Sequence, residues 1–170
     1  LPSTRQGNSF LGIAASSASS AEATDEAPLV TRAGGNWKAC AANFLPSGDS
    51  RRDVERLGLL CGPVNGMSVV GEAFEGNASN EPSNHAFPVA SGVCYRIFGV
   101  ADASVADLVL RVVSVRGSQL AAEEQPGRVA MLESDRAFCT FATETVTAEV
   151  TSKDGTGRYA LRIYQLPTHD

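Results

Sequence analysis

Aromatic residues are scarce. They make up 6% of this 170-residue chain, and Trp37 is the single tryptophan. Any core must therefore be built mainly from Val, Leu, Ile and Ala. There are two histidines, His85 and His169, and no Cys-x-x-Cys pair. A structural zinc site wants four ligands with at least one close pair, so no metal site is expected. Basic residues are outnumbered and scattered: 14 Lys and Arg stand against 19 Asp and Glu, for a net charge of −5. Polyanion binding draws on a basic patch, so no nucleic-acid role is expected either. No apolar run approaches the length of a membrane span, so no transmembrane segment is expected. There is no Gly-x-Ser-x-Gly nucleophile elbow. The chain opens on Leu1 rather than Met. The expectation is a processed product whose targeting segment has been removed, with room for a lipid anchor on a lost upstream cysteine.

What is present is a hydrophobic content of 43%, enough for one sizeable core. Four widely spaced cysteines also stand out: Cys40, Cys61, Cys94 and Cys139. An even number at wide spacing reads as a disulfide framework in an oxidising compartment; buried free thiols in a cytosolic protein are the alternative. Residues 1–33 are rich in Ala, Ser, Thr and Gly and have little to bury, so they read as a flexible leader. The other reading is a docking tail, with Phe10, Leu11 and Ile13 as its adhesive end.

Residues 34–66 read as a short helical subregion. Asn36 can cap a helix that puts Trp37, Cys40, Ala41 and Phe44 on one face. Ser50 and Asp53 have the form of a capping box for a second helix running to about Leu60, with Val54, Leu57 and Cys61 inward. Gly62, Pro63, Asn65 and Gly66 end it. Residues 67–166 read as a β-sandwich domain, and 167–170 as a tail. A short strand is expected at 67–70. A long loop over 71–91 follows, because Gly76, Asn77, Asn80, Pro82, Asn84 and Pro88 interrupt any period. Seven strands are then expected, at 94–100, 107–115, 118–122, 129–132, 137–142, 145–151 and about 158–164. Residues 145–151 alternate, with Val146, Ala148 and Val150 inward and Thr145, Thr147, Glu149 and Thr151 outward. In the last strand Tyr159, Leu161 and Ile163 point in, while Arg158, Arg162 and Tyr164 point out. Short alternating strands without crossover helices predict a mainly β fold, an antiparallel sandwich.

Several runs carry a resemblance. They are Cys94-Tyr95-Arg96, Asp107-Leu108-Val109-Leu110 continuing to Gly117, Phe138-Cys139, and Gly157-Arg158-Tyr159-Ala160-Leu161. Through them residues 94–165 resemble the small jelly-roll β-sandwich domains appended to secreted bacterial proteases, the pre-peptidase C-terminal domains. The segment Leu59-Leu60-Cys61-Gly62-Pro63-Val64-Asn65-Gly66-Met67 is similar to part of a related architecture in predicted envelope proteins of myxobacteria-like organisms. The sequence departs from the family at Val109, where the family has a second Asp, and it lacks the Asp-Pro-x-Gly turn. Those departures weaken the Ca²⁺ binding known among related domains. The resemblance implies an accessory role rather than an enzyme, with no cofactor. The partner would be a protein or a surface polymer, and the setting the periplasm, the outer membrane or the extracellular space.

Cys94 opens one strand and Cys139 lies in a later one, so a 94–139 staple is favoured; Cys40–Cys61 then clamps the two helices. A nucleophilic cysteine needs a depressed pKa, and Cys61 beside an Arg-rich helix is the one candidate. His85 falls in the polar loop and is expected to face solvent. A Ser-His-Asp site would need it beside Asp102 or Asp107. Glu123, Glu124, Glu133 and Asp135 read as a solvated acidic rim. Arg162 and Tyr164, on the outward face of the last strand, are the candidate interface on the sheet. Three functions follow: an accessory binding or structural module, a subunit of an envelope assembly held through the leader, and an unrecognised hydrolase or metal enzyme.

Overall fold

A computed structural model of the chain describes residues 39–61, 67–123, 125–132 and 137–166. Within them residues 39–42 are helical, and the helix Ser50–Cys61 precedes ten strands. The strands are β1 (Ser68–Val69), β2 (Phe74–Ala78), β3 (Ser83–Val89), β4 (Cys94–Ala101), β5 (Val105–Val113) and β6 (Gln119–Ala122). After them come β7 (Val129–Met131), β8 (Phe138–Cys139), β9 (Glu144–Gly155) and β10 (Gly157–Gln165).

The strands form two antiparallel sheets. The first runs β1-β10-β4-β7, with β2 also on β10 and β8 also on β4; the second runs β3-β9-β5-β6. β1 and β2 pair with successive stretches of β10, at 164–165 and 157–161. β7 and β8 likewise pair with successive stretches of β4. The first sheet is thus four strands wide, in the order β2-β10-β4-β7 facing β3-β9-β5-β6. This is the double Greek key of a jelly roll.

The alternation written in the sequence produces the core. Tyr95 and Ile97 of β4, Leu108, Leu110 and Val112 of β5, Val146, Ala148 and Val150 of β9, and Tyr159, Leu161 and Ile163 of β10 fill the space between the sheets. Leu110 lies opposite Val150 and Val112 opposite Ala148 across the β5–β9 ladder. All seven strands expected after residue 92 are present. The expected loop over 71–91 is corrected: it contains β2 and β3. β3 is an edge strand of its sheet, so the missing N–H of Pro88 breaks no ladder that a central strand would need.

The helix supplies a third layer. Val54 and Leu57 pack on Phe98, Val100, Ala160 and Tyr164, the outward residues of β4 and β10. Its N-terminus differs from the expected capping box. Asp49 is the cap, accepting from the Arg52 N–H at 3.0 Å. The Ser50 N–H donates to Asp102 Oδ1 at 3.0 Å, which ties the helix start to the β4–β5 turn. Asp53 is fully buried and accepts from the Ser47 N–H (2.7 Å), the Ser47 hydroxyl (2.8 Å), the Gly48 N–H (3.1 Å) and Arg56 (2.9 Å). A buried carboxylate with that many charge-assisted donors stays tolerable away from water.

Both expected disulfides form. Cys40–Cys61 joins residues 21 apart, with Cα atoms at 5.5 Å. It holds the helical turn at 39–42 to the end of the helix. Cys94–Cys139 joins residues 45 apart and links directly opposed positions of β4 and β8. Loop-closure entropy credits the two with about 3 and about 4 kcal/mol. Disulfides persist in oxidising compartments, so the chain belongs outside a reducing cytoplasm. No described helix is long and apolar enough to cross a membrane.

Candidate binding surface

His85 lies on β3 opposite Ala148, not in a polar loop. Its Nε2 is 2.5 Å from the Tyr159 hydroxyl, which in turn donates to Ser83 Oγ at 2.7 Å. The imidazole stacks on Phe74, with centroids 4.8 Å apart and planes 24° from parallel. Gly76, directly across from Tyr159, makes this possible. A Cβ at Gly76 would come within 2.6 Å of the phenolic oxygen. Burial pushes the imidazole pKa below its ordinary value and the phenol pKa above its own. Near neutral pH both rings are therefore uncharged. The group bonded to His85 is a hydroxyl rather than the carboxylate that a Ser-His-Asp site requires. The arrangement fastens β2, β3 and β10 where the two sheets meet.

The remaining candidates separate in space. Asp102 holds the helix N-terminus, and Asp107 accepts from the Gly127 N–H at 3.2 Å. Asp102 borders a polar notch of about 390 Å³ that also contains Arg51, Glu75 and Arg158. There Arg51 reaches Glu75 at 3.0 Å and Arg158 reaches it at 3.8 Å, so the charges answer one another. A second hollow, of about 350 Å³, lies between residues 41–46 and 123–131, over Phe44, Val129 and Met131. Glu123 bridges to Leu132 and so joins the end of β6 to β7. Glu124, Glu133 and Asp135 lie outside the described residues, as do Phe10, Leu11, Ile13 and His169. Cys61 is bonded to Cys40 and holds no free thiol. Among the described residues no cluster of His, Cys, Asp and Glu could hold a metal ion.

The expected Arg162–Tyr164 interface needs correction. Tyr164 does point away from the sandwich interior, but the helix covers it and leaves it 5% exposed. It lies edge-on to Phe98, with ring centroids 6.0 Å apart. Its hydroxyl bonds Arg162, and burial raises its pKa. The helix packs against β10 and β4, so the first sheet has its outer face closed.

The outer face of the second sheet carries no described helix. Thr145, Thr147, Glu149 and Thr151 of β9 run along it, as the alternation predicts. Asn84, Glu149 and Arg111 stand side by side across β3, β9 and β5. Arg111 pairs with Glu149 through its Nε. This is a pleated, mainly polar face on the double sheet, with Val109 of β5 and Leu120 of β6 as its larger apolar groups. The sequence pattern announced the β9 row; the flanking β3 row was hidden inside the apparent loop. The buried Arg96, 1% exposed on β4, was also missed, because a lone arginine beside a tyrosine has no sequence signature of burial.

No protein-family model matches the chain, and no curated protein matches it.

Proposed function

We propose that this chain is a non-catalytic accessory module of the bacterial cell envelope or secreted fraction. It is of the pre-peptidase C-terminal-like kind, and it binds a protein or a surface polymer. The supporting observation is the asymmetry of its two sheets. One outer face is covered by a helix whose end a disulfide ties to the turn at 39–42, while no described element covers the other, which carries a row of threonines and one ion pair. In the polar notch Asp102 holds the helix start and Glu75 sits between two arginines, and away from both hollows His85 is held against Tyr159. Such a body presents a surface rather than a reaction centre.

A second reading, a subunit of an envelope assembly held through residues 1–33, draws support from the helix end. Leu59 and Leu60 are 84% and 67% exposed beside the Cys40–Cys61 clamp. Fractionation of the source cells, followed with an antibody to the purified chain, tests the envelope assignment common to both. Recovery in the envelope or culture medium is the expected result. Recovery in the cytoplasm with free thiols contradicts both readings.

A further inference from the structure

The register places three turns at one end of the sandwich. Val89 pairs with Glu144 and Val113 with Thr147, so the β3–β4 turn, the β5–β6 turn and the β8–β9 turn leave the sheets together. Phe141, in the β8–β9 turn, is 95% exposed, and Val115, in the β5–β6 turn, is 78% exposed. Single exposed apolar residues are ordinary. Here a large aromatic and a branched aliphatic project from separate turns at the same end.

Phe141 is also held in that position. Thr140 donates to the Val93 carbonyl at 3.1 Å and accepts from the Gly92 N–H at 2.8 Å. The Thr140 hydroxyl donates to the Ala90 carbonyl at 2.6 Å. Ser91 donates through its hydroxyl to the Phe141 carbonyl and through its N–H to Thr143 Oγ1, each at 3.0 Å. The Cys94–Cys139 disulfide sits immediately behind. With its backbone bonded on both sides, the turn cannot readily fold Phe141 back onto the core.

Charge is sparse at the same place. Residues 90–93, 114–118 and 140–143 include no carboxylate and a single cation, Arg116, in a chain of net charge −5. The nearest acidic residue in sequence is Glu144, at the start of β9. Glu144 directly follows the turn and offsets Arg116, so these turns would meet a surface as a sparsely charged, near-neutral apolar tip.

We propose that this end of the sandwich docks on a phospholipid surface, with Phe141 and Val115 entering the interfacial layer and Arg116 meeting headgroup phosphates. The proposal deepens the envelope reading and rests on it. An exposed side chain at a turn fits a fluid interface, which yields around it. A protein partner would need a preformed pocket for each projection. Arginine suits phosphate, and its stem can lie along the apolar layer.

The test is co-sedimentation of the full oxidised chain with vesicles of phosphatidylethanolamine and phosphatidylglycerol, three to one. The wild type should bind saturably at submillimolar lipid. Phe141→Ser should weaken binding roughly tenfold or more, and Val115→Ser severalfold, because each removes most of one buried apolar side chain. Both variants should keep the wild-type melting temperature, since neither side chain is buried. Absence of wild-type binding at millimolar lipid overturns the proposal, as does binding that both variants retain. Loss of self-association or protein capture in Phe141→Ser, without any vesicle binding by the wild type, assigns the tip to a protein and also overturns it. Cell fractionation remains a separate result: envelope recovery with no vesicle binding defeats only the lipid docking.

Discussion

Tyr159 is fully buried, yet its hydroxyl reaches two polar partners, Ser83 and His85. Satisfying a phenol inside a sandwich requires help from a neighbouring strand, and Gly76 gives the space for it. The consequence is a pH-dependent stability. Burial lowers the His85 pKa in the folded chain below its usual value of 6.5. The unfolded chain then holds the proton more tightly, and protonation favours unfolding. The His85 contribution is fully present above about pH 6.5 and is lost as pH falls through the lowered folded value. Urea midpoints should therefore drop between about pH 7.5 and about pH 5.5, and His85→Gln, which keeps a hydrogen-bonding side chain, should flatten that slope. An identical pH profile for the variant would contradict the assignment.

At the scale of elements, the docking of the helix turns on one close approach. A Cβ at Gly58 would lie 1.9 Å from the Tyr164 hydroxyl. That hydroxyl has little freedom to move, being bonded to Arg162 on a ring packed against Phe98. An exposed helix position gains up to about 1 kcal/mol when Gly becomes Ala. Here the opposite sign is expected. Gly58→Ala should destabilise by about 1–3 kcal/mol through overpacking, and adding Tyr164→Phe should return part of the loss. Equilibrium urea unfolding decides it; a stabilised Gly58→Ala protein would show that the helix does not sit where it is described.

The same scale explains what the sequence made legible. β9 and β10 could be read residue by residue, because each buries every second side chain and turn residues bound them. β2 and β3 were obscured by residues that local rules assign to loops. Pro88 survives because β3 is an edge strand, and Gly76 because Tyr159 lies across it. Both reasons are tertiary, and no window of sequence contains them. Tyr164 shows the matching limit. Its outward direction followed from strand parity, but whether that face met water depended on a helix a hundred residues earlier in the chain. The disulfides were legible because wide spacing and strand placement left one pairing that joined like elements.

For the whole molecule, three layers follow among the described residues: helix, four-wide sheet, and a second sheet whose outer face no described element covers. One disulfide holds the outer layer to itself, and the other closes β4 onto β8 beneath the apolar turns. The functional proposals depend on that stapled architecture, since an oxidising compartment, a fixed Phe141 and a sealed first sheet all require it. The most direct measurement is peptide mapping by mass spectrometry on protein purified and digested without reductant, with thiols blocked at lysis. The account predicts one linked species containing Cys40 and Cys61, another containing Cys94 and Cys139, and no blocked thiols. Blocked cysteines at these positions, or a link between Cys40 or Cys61 and either of the other two, would contradict it.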